Sequence, residues 1–288
     1  MNIIILLLGM ILILAIVHVL FVLTFNRFIN TYEASTFTKI FPYQFIYNML
    51  FSTYKPQKPY FSLRVDINTS KENVEEHNEG LTELIKSANK YDIPITFSIA
   101  GEYIPALSKE VKELIDGPQH EIISHSHTHS DLTKKDQSKQ IKKSKQRLEG
   151  SFNKEIKGLV APQAKHDLTT LKAAKQNDIE YISSGSLSYI RYWSFPYPFK
   201  KDDIWLIGGG IPSDHYLYHQ KNRSPNEALT IWKKALQFRK ERNWFTQLEY
   251  HNFSTSEKEL QIMEELFKYI NNSDIEPITQ GELVKGLS

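Results

Sequence analysis

Residues 120–129 read His-Glu-Ile-Ile-Ser-His-Ser-His-Thr-His, four imidazoles inside ten positions. His120, Ile122 and Ile123 read as the end of a buried strand, and everything from Ser124 onward is polar. The histidines therefore fall where a strand runs out into a loop or helix, which is where α/β folds place their sites. A helical continuation after Ser124 would put His125 and His129, four apart, on one face able to hold a metal ion, with His127 directed elsewhere. A solvated loop rich in histidine is the plainer alternative. The pair needs a third ligand and a chemical partner to rise above it.

Working outward, strands and helices alternate. Tyr60 to Asn68 is a β-rich run that carries Asp66 to its C-terminal end. Gly80 to Lys90 holds Leu81, Leu84, Ile85 and Ala88 at helical spacing, and Ile93 to Ile99 predicts a second strand. Val111 to Ile115 reads as helix until Asp116-Gly117-Pro118 stops it, just before the histidine strand. Further on, the pattern predicts a helix over 137–149, a strand over 156–160, a helix over 168–177 and a strand over 181–183. Between Gly185 and Gly210 it loosens into aromatics, Trp193 among them, suited either to stacking on sugar rings or to filling space under a long loop. Ser224 caps a helix over 225–242, a strand from Trp244 ends at His251, a helix covers 257–270, and a short strand lies near Ile275 to Ile278. Repeated βα units of this length predict a parallel, barrel-like sheet wrapped by helices. An open doubly wound sheet gives the same pattern, but no glycine-rich phosphate loop follows the first strand.

Composition narrows the function. The 288 residues carry a formal net charge of +2, a balance that implies no nucleic acid, and the basic run from Lys134 to Arg147 reads as the solvated face of a helix. There is no cysteine, which excludes a disulfide framework, a thiol nucleophile and Cys-ligated zinc. From Ile3 to Leu23 only Gly9 and His18 interrupt an apolar run long enough to cross a bilayer core of roughly 30 Å. Residues 1–24 are expected to be an uncleaved membrane anchor, 25–59 a juxtamembrane connector, and 60–288 a single catalytic domain. Arg27 and Lys39 follow the helix and, taken literally, place the domain in the cytoplasm.

Three strand ends thus bring Asp66, the pair His125 and His129, and His251 to one rim. A cation held by imidazoles can polarise a carbonyl and acidify water. A nearby carboxylate can take that water's proton, and a separate imidazole can protonate a leaving group. Hydrolysis follows from such a set.

The chain resembles, from about Tyr60 to Leu283, the polysaccharide deacetylases of the NodB-homology type, carbohydrate esterase family 4. Leu63-Arg64-Val65-Asp66-Ile67-Asn68 is similar to the first family motif, and His125-Ser126-His127-Thr128-His129 fits the second, His-Ser-x-x-His. Leu159-Val160-Ala161-Pro162 stands where the third motif has Arg-x-Pro, Leu248-Glu249-Tyr250-His251 resembles the strand bearing the catalytic histidine, and Pro277 to Leu283 resembles the terminal segment. The resemblance implies a deformed (β/α) barrel of about seven parallel strands and removal of an acyl group from an N-acylated glycan or glycolipid. It implies Asp66 as general base, His251 as general acid, and His125, His129 and Asn68 around a divalent ion. Zinc is the first expectation, with cobalt, nickel or manganese as alternatives. It also favours an extracytoplasmic domain. Asn68 replaces a metal-binding carboxylate and Val160 replaces the arginine that would orient Asp66, a duty Arg64 could take over. Arg64, Pro162 and Trp193 are the expected substrate-side residues. The rival reading is a catalytically impaired, carbohydrate-binding relative. His215 and His219 repeat the four-residue spacing in an aromatic loop, with Asp214 beside them as a conceivable stand-in ligand.

Overall fold

The computed structural model describes residues 56–68, 73–134, 136–183, 198–208 and 210–287. The expected anchor, most of the connector, and Trp193 lie outside these residues. Among the described residues no helix is long and apolar enough to cross a membrane.

Strand β1, Tyr60–Ile67, shows how the architecture arises. Its alternate residues Phe61, Leu63, Val65 and Ile67 are buried apolar, and Ser62, Arg64 and Asp66 between them are buried polar. With a side-chain period of two, the first set meets an outer layer of helices and the second lines the inside of the sheet. Six further parallel strands extend it: β2 (Ile95–Ile99), β3 (Glu121–Ser124), β4 (Gly158–Leu159), β5 (Tyr181–Ser183), β7 (Ile204–Ile207) and β8 (Thr246–His251). They run in the order β7-β5-β4-β3-β2-β1-β8. Beyond β7, one bridge between Gly210 and Gln247 joins the run-out of that strand to β8, so the sheet curls into a deformed barrel. Two short strands lie off this path. β6 (Phe199–Lys201) pairs antiparallel with β7, and β9 (Glu276–Pro277) pairs with the start of β1.

The helices are α1 (Val74–Lys90), α2 (Lys109–Ile115), α3 (Gln137–Phe152), α4 (Leu168–Gln176), α5 (Pro225–Lys240), α6 (Glu257–Asn271) and α7 (Gln280–Lys285). Leu81 and Leu84 of α1, Trp232 of α5, and Met263 and Phe267 of α6 share one core with Leu63 and Val65. Capping boxes start α4 (Asp167 with Thr170), α5 (Ser224 with Glu227), α6 (Ser256 with Glu259) and α7 (Thr279 with Glu282), each cap worth about 1 kcal/mol.

A polar network crosses the barrel at the opposite end from Asp66. Glu121 accepts from Tyr181 Oη at 2.5 Å, from Thr96 Oγ1 at 3.0 Å and from the Gly281 N–H at 2.9 Å. α7 is thereby fastened to the N-terminal ends of the strands. Gly158 makes room for this packing, since a Cβ there would lie 2.3 Å from Tyr181 Cζ and 2.6 Å from Ile123 Cγ2.

One expectation needs correction, and one open alternative is decided in favour of a loop. The strand predicted over 156–160 is reduced to Gly158–Leu159, and the β6–β7 hairpin was hidden because runs of three and four residues carry too little periodicity to read. No helix follows Ser124. Ser126 (φ 61°) and His129 (φ 53°) adopt left-handed backbone, and the loop is pinned where Gly101 N–H donates to the Ser126 carbonyl at 3.0 Å and Glu102 N–H to that of His127 at 2.9 Å.

Candidate active site

The β1–β8 register sets Arg64 beside Glu249 and Asp66 beside His251. Residues two apart share a face, so all four side chains point the same way. Arg64 Nε donates to Asp66 Oδ1 at 2.8 Å and Nη2 to Oδ2 at 2.9 Å, a two-pronged pair. The Nη2 group also reaches Glu249 Oε2, and Nη1 donates to the Ser183 carbonyl at 3.3 Å and Oγ at 3.2 Å. Arg64 is 3% and Asp66 2% exposed, and charges so deeply buried need this degree of pairing. Burial pushes the Asp66 carboxyl up, but the Arg64 charge, followed by His125 and the Arg64 hydrogen bonds, outweighs it and holds the pKa at about 2.

His251 is held from behind. Its Nδ1 lies 2.7 Å from Asp214 Oδ1, and its backbone N–H donates to Asp214 Oδ2 at 3.0 Å. Both Asp214 oxygens thus accept from His251. Phe253 stacks on the His251 ring at 4.9 Å and 27°. Burial alone would lower the His251 pKa, but the hydrogen bond and charge of Asp214, with Glu249 and Asp66, raise it to about 9. Nε2 faces inward, 3.6 Å from Glu249 Oε1, and one ligand atom each of Asp66, Glu249 and His251 lies within 4.8 Å of the others.

On the other side of Asp66, at 3.9 Å from its Oδ2, is His125 Nε2. His125 Nδ1 sits 3.2 Å from the Val160 carbonyl, so Nδ1 carries the proton and donates, leaving the Nε2 lone pair inward. The His129 ring stands 4.7 Å from that of His125, so the two meet without a helix between them. Asn68 reaches both, with Nδ2 at 3.3 Å from His125 Nε2 and 3.0 Å from His129 Nε2. Burial keeps both imidazoles neutral, His125 at about 4 and His129 below its ordinary value. The amide's two ends are interchangeable by rotation. With Oδ1 turned inward the set becomes two imidazole nitrogens and one carbonyl oxygen, a donor set that fits a divalent ion such as zinc.

The other two histidines of the opening segment go elsewhere. His120 Nδ1 accepts from the Ile95 N–H at 3.1 Å, and His127 is buried with Nε2 4.0 Å from Glu102. The Val160 side chain packs with Ile123, Tyr181, Ile207 and Phe245, and Pro162 is buried at the head of a short turn, Pro162–Ala164. His215 and His219 are exposed, their rings 5.3 Å apart, with His215 5.8 Å from the His251 ring. Sequence reasoning gave Glu249 and Ser183 no role. The signal for Glu249 was present in the same alternation that aligns Arg64 with Asp66.

Comparison with known proteins gives a family match over part of the chain and a shared fold. Residues 54–182 match the family model for polysaccharide deacetylase. The fold is similar to that of a Mycobacterium smegmatis protein described as a "putative polysaccharide deacetylase", at 15% identity and TM-score 0.68 over 81% of this chain and 93% of that one. It is also similar to the Bacillus subtilis peptidoglycan deacetylase PdaC, at 14% identity and TM-score 0.54 over 81% and 93%. A third likeness is to a Bacillus anthracis protein described as a pseudoenzyme of carbohydrate esterase family 4, at 16% identity and TM-score 0.54 over 80% and 66%. Among curated sequences none matches significantly. The sequence of residues 54–182 is thus similar to the polysaccharide deacetylase family.

Proposed function

We propose that this protein is a metal-dependent hydrolase that removes an acyl group, acetyl in the first instance, from a sugar amide of a glycan or glycolipid. The observation that carries the reading is the placement of Asp66 between two groups: His125 Nε2 at 3.9 Å on one side and the His251 ring, aligned by strand register, on the other. His125, His129 and Asn68 would hold the cation, which when bound supplies Lewis acidity toward the acyl carbonyl. Asp66, kept ionised by Arg64, takes the proton of the attacking water. His251, fixed by Asp214 through Nδ1, delivers the Nε2 proton to the departing nitrogen. Water adds to the carbonyl carbon, the C–N bond breaks, and a carboxylic acid and an amine leave. The apolar run Ile3–Leu23 supports the further proposal of a membrane anchor, and the family resemblance supports an extracytoplasmic domain, against the sense of Arg27 and Lys39.

The test is acetate release from N-acetylated chito-oligosaccharides by the purified chain loaded with zinc, cobalt, nickel or manganese. Loss of release in both Asp66→Asn and His251→Gln is the expected result. Full release in either variant overturns these roles.

One observation favours a second reading, a carbohydrate-binding relative without turnover. The two N–H groups of the Asn68 amide can satisfy both imidazole lone pairs by themselves. The similar Bacillus anthracis protein is described as a pseudoenzyme. Elemental analysis separates the two readings: about one divalent ion per chain is expected for the enzyme and none for the binder.

A further inference from the structure

We propose that Glu249 is the seat of the amine that leaves the site. Arg64 is already matched by Asp66, with two hydrogen bonds between them, and His251 is matched by Asp214. Three carboxylates, Asp66, Asp214 and Glu249, thus face two cationic side chains, Arg64 and His251, and Glu249 is the most exposed of the three. Its side chain is 35% exposed, against 4% for Arg64 and 3% for Asp66, so it belongs to the surface that a substrate touches. One carboxylate oxygen is held by Arg64. The other, Oε1, stands 3.6 Å from His251 Nε2, beside the atom that faces the departing nitrogen.

Hydrolysis of an amide yields a carboxylic acid and an amine, and the acid's proton passes to the amine, so the pair leaves as carboxylate and ammonium. An ammonium beside Glu249 Oε1 donates a charge-assisted hydrogen bond to it. Hydrolysis of an ester frees a neutral alcohol, which gains far less from the same carboxylate. Glu249 thus favours the product of N-deacylation by its charge, while Arg64 keeps it in place.

The inference rests on the deacylation reading for the identity of its ligand, and its test does not require turnover. The full chain is titrated calorimetrically with the glucosamine tetramer and with its N-acetylated counterpart at mildly acidic pH, where the amines are charged. The wild type is expected to bind the free-amine tetramer about tenfold more tightly, the scale of one hydrogen bond between charged groups. Glu249→Gln removes the preference while affinity for the acetylated tetramer is retained, and Glu249→Asp keeps part of it. A preference that survives Glu249→Gln, or its absence from the wild type, overturns the proposal. Should Glu249→Gln lose its cooperative melt, Glu249→Ser, which leaves Arg64 its two bonds to Asp66, is titrated in its place. An amine preference without any acetate release would overturn the deacylation reading alone, and acetate release without the preference would overturn the role of Glu249 alone.

Discussion

Arg64 and Asp66 stand two residues apart on one strand and close a two-pronged ion pair on each other, Nε to Oδ1 at 2.8 Å and Nη2 to Oδ2 at 2.9 Å. The arginine that orients the proposed base thus comes from the base's own strand, and Val160, at the position where the family motif has its arginine, is free to pack against Ile123 and Tyr181.

Lysine cannot reproduce the fork. Arg64→Lys is expected to fold and to lose roughly 10²-fold in kcat/KM, the scale of a misplaced proton acceptor. Arg64 holds the Asp66 pKa at about 2, below its ordinary 3.8, so weakening the pair raises it. The acidic limb of the pH–rate profile should therefore move to higher pH. An unmoved limb would show that Arg64 is not what keeps Asp66 ionised.

The His251–Asp214 pair makes stability depend on pH in the opposite sense. His251 rises from 6.5 to about 9 on folding, so the folded chain holds its proton more tightly than the unfolded chain. The resulting stabilisation is fully present below pH 6.5 and is lost as pH rises through about 9. Asp214→Asn should flatten this decline in Tm between the two values and bring the basic limb of kcat/KM down.

The neutral amide at Asn68 leaves the proposed metal set one charge short. Asn68→Asp is expected to tighten zinc binding at least tenfold by calorimetry, and His125→Ala to abolish it. At a hundredfold excess of metal over Kd the folded state gains about 2.7 kcal/mol, so a chelator should lower the Tm of the loaded chain. Identical zinc affinity in the wild type and both variants would remove Asn68 and His125 from the site.

At the far end of the barrel, Gly158→Ala should cost at least about 2 kcal/mol in chemical denaturation, because its Cβ would sit 2.3 Å from Tyr181 Cζ. Tyr181→Phe relieves no clash, so Gly158→Ala stays destabilising in that background. Tyr181→Ala opens only part of the space, since Ile123 Cγ2 stays 2.6 Å from the added Cβ, so it should reduce the cost of Gly158→Ala without abolishing it.

Much of this was legible in the chain alone. The β-rich run Tyr60–Asn68 announces a strand carrying Asp66 to its end, although only the structure shows its polar face to be buried as well, and the cap at Ser224 marks where a helix begins. The spacing of His125 and His129 marks the site. Each of these is a local pattern, set by side-chain period or by the hydrogen bonds of a helix's first turn, so a window of a few residues contains it. What only the tertiary structure decided is which local patterns meet. Glu249 reaches Arg64 across a sequence separation of 185 residues, and His251 aligns with Asp66 because β8 pairs with β1 in one particular register. The two loop histidines converge through left-handed backbone at Ser126 and His129 rather than through the helix their spacing suggested. Register and loop path are fixed by packing between distant segments, and no single segment carries that information.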